Sequence, residues 1–121
     1  MPAPSSRSFV RTWPSTESVL DAGQAWAERL AQADASVVAI GCFGSFARGA
    51  DGFGSDLDLV AVVRGPRPEP TDPRWSTLDL PVPADLVVYT ADEWRSLLAS
   101  GRRMGKVLSN EARWWVGNPP T

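Results

Sequence analysis

Two carboxylates at the head of an apolar run constrain this chain more than any other feature. Ser55-Asp56-Leu57-Asp58-Leu59 leads into Val60-Ala61-Val62-Val63. A strand over Asp56–Val63 is predicted, and its alternation places Asp56 and Asp58 on one face. Two like charges side by side at the mouth of a buried strand are costly unless a cation lies between them. Asp is also common in turns, but the run behind this pair is apolar on both faces, which favours a metal site. Eleven residues before Asp56 stands Ser45, within Gly44-Ser45-Phe46-Ala47-Arg48-Gly49. A Gly-Ser turn alone carries no signal. Next to paired acids, it lets backbone approach the phosphates that a metal would hold. The combination implies a nucleoside-triphosphate site.

Composition removes the main alternatives. There is no His, so the usual general base, the usual zinc ligand and any Ser-His-Asp scheme are excluded. The single Cys42 cannot form an internal disulfide, and its place in Val37-Val38-Ala39-Ile40-Gly41-Cys42-Phe43 predicts a buried strand residue. Twelve basic residues against 14 acidic ones imply no broad nucleic-acid-binding surface. No apolar run approaches the ~20 residues of a membrane span, and Met1–Thr12 lacks the apolar core of a signal peptide. A cytoplasmic protein is expected.

At 121 residues the chain is long enough for one domain. Residues 1–13 read as a flexible N-terminal segment, 14–116 as a single domain and 117–121 as a frayed C-terminus. Pro14-Ser15-Thr16-Glu17 has the chemistry of a helix start, and Val19, Gly23, Trp26 and Leu30 carry the helical spacing to about Ala33. Val37–Phe43 reads as a central strand ended by Gly44, with a helical turn over Ser45–Arg48 and a mobile loop through Gly49, Gly52 and Gly54. Six prolines between Arg64 and Pro83 exclude a long helix there and leave an extended crossover, with a turn of helix near Trp75. Ala84–Tyr89 reads as a third strand. Thr90-Ala91-Asp92-Glu93 matches a capping box, followed by a helix to about Ser100. Met104, Val107, Leu108, Ala112 and Trp115 predict a final helix. The whole is expected to be an α/β (α+β) fold, a small mixed sheet with its helices on one side.

Without His, a carboxylate must deprotonate or orient an acceptor hydroxyl. Asp85 opens the third apolar run and can enter the sheet beside the first pair. Asp79 competes, but Pro81 and Pro83 leave it outside the strand. Arg48 has two roles open to it, meeting phosphate charge or bracing the loop against an acid. Trp94, Trp114 and Trp115 are equally suited to a core and to a partner contact.

The chain resembles the minimal nucleotidyltransferases of the DNA polymerase β-like superfamily. The likeness is carried by Gly44-Ser45-Phe46-Ala47-Arg48-Gly49 and Ser55-Asp56-Leu57-Asp58-Leu59-Val60, and it covers roughly Val37–Tyr89. It implies the family's short mixed sheet with the site along one edge. It implies transfer of a nucleoside monophosphate, most often AMP from ATP, with Mg²⁺ and two ions expected. On this resemblance Gly44, Ser45 and Arg48 bind the nucleotide. Asp56, Asp58 and Asp85 are catalytic and hold metal, with Asp85 also the base. Relatives of this size commonly act with a separate helical protein, many as antitoxins of HEPN-type toxins, some of which they inactivate by adding AMP. The expected acceptor is therefore a hydroxyl on such a partner. A docking antitoxin that binds nucleotide without catalysis, and an aminoglycoside-type small-molecule transferase, are the alternatives.

Overall fold

The computed structural model describes residues 14–49 and 54–120, so the flexible segment expected at 1–13 lies outside the described residues and the mobile loop expected about Gly52 partly outside them. Ser15 caps helix α1 (Thr16–Ala33), its hydroxyl accepting from the Ser18 N–H at 3.1 Å. Strand β1 (Val37–Phe43) follows, then a short helix α2 (Gly44–Arg48) and strand β2 (Leu57–Val63). A 3₁₀ turn (Pro73–Trp75) interrupts the crossover to strand β3 (Ala84–Thr90). Helix α3 (Ala91–Ala99) starts at the expected capping box: Thr90 Oγ1 accepts from the Glu93 N–H and Glu93 Oε1 from the Thr90 N–H. Helix α4 (Arg103–Glu111) and strand β4 (Arg113–Gly117) complete the described elements.

The sheet order is β3-β2-β1-β4. β2 and β4 run antiparallel to β1, whereas β3 runs parallel to β2, so the sheet is mixed. Parallel strands need a long crossover, and here the proline-rich link supplies it with only one turn of helix. Leu57, Leu59, Ala61 and Val63 of β2 pack with Val19, Trp26, Ala27 and Leu30 of α1. Val60 and Val62 face the other way, into Trp94 of α3 and Leu108 of α4. Helices therefore cover both faces, not one. The both-sided apolar run of β2 required two covers, and α3 and α4 provide the second.

Two further expectations are corrected. The second strand begins at Leu57, leaving Asp56 exposed just ahead of it. The final helix ends at Glu111, and Trp115 belongs to β4. Ala112 and Trp115 match helical spacing, but an empty sheet edge beside β1 offers Arg113–Gly117 a ladder of hydrogen bonds instead. Gly41 admits that strand, because a Cβ there would overlap the Arg113 carbonyl oxygen and stand 2.9 Å from its carbon. Beyond β4 the chain continues to Pro120, whose carbonyl accepts from the Trp94 indole N–H at 2.9 Å. Trp94 is only 1% exposed and meets Trp114 edge-on at 5.5 Å, while Trp115 packs toward α1 at Gly23. Core packing accounts for Trp94. Cys42 is fully buried, as expected, and burial pushes its thiol up to about 11. Among the described residues no helix is long and apolar enough to cross a membrane.

The crossover is fixed by a polar knot. Asp34 accepts from the Ser36 N–H (2.9 Å), the Ser36 hydroxyl (2.7 Å) and the Trp75 indole (3.0 Å), with Arg74 at 3.6 Å. Arg74 also donates to the Ala33 carbonyl and the Trp26 indole to the Ser76 carbonyl. These bonds hold the link against the end of α1, so β3 returns alongside β2. The Ser36 bonds, then the Trp75 bond, keep the Asp34 carboxyl below the usual carboxylate range. Asp34→Ala is expected to destabilise the fold by roughly 2 kcal/mol, the scale of charge-assisted bonds lost plus a buried indole left unpaired. A group with a depressed folded pKa stabilises above its unfolded value of about 3.9. The deficit of the variant in urea unfolding should therefore be full at neutral pH and narrow as pH falls through the lower folded value.

Candidate functional site

One end of the sheet gathers the candidate acids. Asp58 is the second residue of β2 and Asp85 the second of β3, and the parallel register places them directly opposite each other. Adjacent strands in register present such side chains on the same face. Asp58 is half-buried, while Asp85, on the edge strand, is exposed. Burial, then the charges of Asp85 and Asp56, hold the Asp58 carboxyl above the usual carboxylate range, with Arg48 acting the other way. Asp56 therefore contributes charge to the pair from outside the strand. Asp79 lies before Pro81 and lines a separate groove with Trp26 and Arg74.

Gly44 locks against this pair. The chain leaves β1 at Phe43, itself the register partner of Asp58, and turns at Gly44 with φ of 76°. A Cβ at Gly44 would overlap Oδ2 of Asp58 and stand 3.1 Å from its Cγ. Glycine suits the position by conformation, and any side chain there would have to displace the Asp58 carboxylate. The turn is seated on the carboxylate, and half-buried Ser45 follows as the second residue of α2. Arg48 closes α2 and pairs with Glu111 at 2.9 Å, the bracing role left open by its sequence. Glu111 was missed in the sequence: 63 residues separate the partners, and neither spacing nor composition singles out an acid at the end of α4.

Asp58 and Asp85 are thus brought side by side, with Gly44 in contact and Arg48 near, while Asp56 stands off the strand. Among the described residues no three His, Cys, Asp or Glu side chains are gathered into a ready-made metal cluster. The donor chemistry still suits a hard cation. Mg²⁺ is usually held by one or two carboxylates completed by substrate phosphate and water, and this pair of oxygen donors meets that requirement.

A glycine turn is seated on paired strand carboxylates at one end of a small mixed sheet, the arrangement expected of a nucleotidyltransferase. The nucleotidyltransferase domain family matches residues 26–112, and the chain belongs to that family. Among solved structures, the fold is similar to that of a Sulfolobus solfataricus protein assigned as a nucleotidyltransferase. That likeness has a TM-score of 0.50 and 18% identity, over 84% of this chain and 86% of that one. A chain from a toxin-antitoxin structure with AMP-PNP has a TM-score of 0.46 and 16% identity, over 78% and 73% of the two chains. No curated protein matches the chain.

Proposed function

We propose that this chain is a Mg²⁺-dependent nucleotidyltransferase that moves a nucleoside monophosphate, AMP from ATP first among them, to a hydroxyl of a partner protein. The register pairing of Asp58 with Asp85, with Gly44 seated on Asp58, carries this reading. Asp58 and Asp85, with Asp56 beside them, would hold the metal. Mg²⁺ held there would neutralise phosphate charge and make the acceptor hydroxyl more acidic. Gly44 and Ser45 bring backbone to the phosphates, and Arg48 adds positive charge. Asp85 takes the proton of the acceptor hydroxyl as its oxygen bonds to the α-phosphorus. The bond to the bridging oxygen breaks, and pyrophosphate leaves.

A macromolecular acceptor is supported by the openness of the acid pair. β3 is an edge strand and Asp85 is exposed, so a side chain of another protein can reach it. In line with the family resemblance, the acceptor is proposed to be a helical toxin of the HEPN kind, and the reaction to be cytoplasmic. Each labelled NTP, offered with Mg²⁺ and a candidate partner, should test this. Label is expected on the partner with one NTP preferred, and Asp85→Asn should reduce it on the order of 10²-fold or more, the scale of a lost general base. Wild-type labelling no better than the variant's would overturn catalysis. Protection of cells by that variant would then favour neutralisation by docking.

A further inference from the structure

We propose that Glu111 is a positioning residue of the nucleotide site: its carboxylate holds the Arg48 guanidinium aside from the strand acids and presents it to the phosphates of the bound nucleotide. The inference rests on the nucleotidyl-transfer reading above. Arg48 ends α2 and Glu111 ends α4, so their bond ties the glycine turn to an element from the far end of the chain. Arg48 also lies within electrostatic reach of Asp58. An untethered arginine within reach of Asp58 would be drawn onto the carboxylate, competing with the cation the acids suit. Glu111 supplies a competing anion, 2.9 Å from Nη1 of Arg48.

The pairing leaves capacity for a ligand. Guanidinium carries five N–H donors in a rigid fork. Among the described residues only Nη1 of Arg48 is engaged, by Oε1 of Glu111. The remaining donors can meet phosphate oxygens without breaking the tether. With side-chain exposures of 50% and 32%, the pair adds little to stability. Its effect should therefore fall on nucleotide binding, and the two roles can be separated.

The experiment measures the affinity of the full chain for Mg²⁺-ATP by calorimetry, with kcat and KM from the labelling assay. Arg48→Ala should weaken binding about 10- to 100-fold, as loss of charge-assisted bonds does. Glu111→Gln should weaken it about 3- to 10-fold and raise KM with kcat nearly unchanged, the mark of a binding contact. Glu111→Asp should recover part of that loss, and Glu111→Gln should add nothing in the Arg48→Ala background. Melting temperatures should stay near wild type throughout. Tighter binding by Glu111→Gln would make Glu111 a latch that competes with phosphate, and unchanged or fully additive binding would remove its role. Either result overturns the proposal. If wild type binds no NTP, the nucleotidyl-transfer reading falls first and this inference with it.

Discussion

Asp58→Asn is expected to abolish nucleotidyl transfer while making the metal-free protein more resistant to heat. The two effects come from the same charge. Asp58 sits opposite Asp85 and near Asp56, and burial with these neighbours keeps its carboxyl above the usual carboxylate range. A raised folded pKa means that the ionised form is disfavoured in the fold. Its destabilising effect is absent below the unfolded value of about 3.9 and complete once pH exceeds the folded value. The amide keeps the shape and removes the charge, so its melting temperature should exceed wild type at neutral pH and converge with it in acid. Adding Mg²⁺ should raise the wild-type value and narrow the gap, because a ligand of the native state stabilises by mass action. Transfer should fall on the order of 10³-fold or more, since removing one anionic ligand sacrifices several kcal/mol of transition-state stabilisation. An Asp58→Asn protein that transfers normally, or that melts below wild type without metal, would sink this account.

Most of this site was legible because its parts are local. Gly44, Ser45, Asp56 and Asp58 are close in sequence, and period-two alternation with an apolar run is enough to set Asp58 at a strand mouth. Asp85 was legible for a weaker reason: it opens the next apolar run, and the prolines before it leave Asp79 no strand to join. The register that puts Asp85 opposite Asp58 forms only once the crossover has brought β3 back, and that crossover is anchored by the Asp34, Arg74 and Trp75 knot. No local pattern announces that knot. β4 was hidden for a related reason. Its five residues mimic helical spacing with the segment before them, and the deciding fact is a partner edge on β1, opened by the missing side chain of Gly41. Helices on both faces answer the two-sided apolar character of β2, against the one-sided arrangement expected, because assignment of helices to faces depends on chain direction, which periodicity does not encode. Glu111 meets Arg48 only after α4 has packed across α2.

Gly44→Ala should disable the site out of proportion to its effect on folding. Two separate penalties act at this position. The backbone is in the left-handed region at φ of 76°, where a non-glycine residue costs about 1 kcal/mol. The new methyl would also overlap Oδ2 of Asp58, the mobile end of a short side chain. That carboxylate can rotate away at modest expense in stability, but rotation takes it out of register with Asp85 and the phosphates. A displacement near 1 Å at a reacting centre costs about 10²-fold in rate. The expected outcome is a loss of about 1–2 kcal/mol in stability with a fall in transfer of 10²- to 10³-fold, read by urea unfolding and the labelling assay. Gly101→Ala isolates the first penalty, because Gly101 has φ of 69° after α3 and no atom within 4 Å of the added methyl. It should lose comparable stability and keep wild-type transfer. If both variants lose activity in proportion to stability, Gly44 serves the backbone turn alone. If only Gly44→Ala loses transfer, the contact with Asp58 is what requires glycine there.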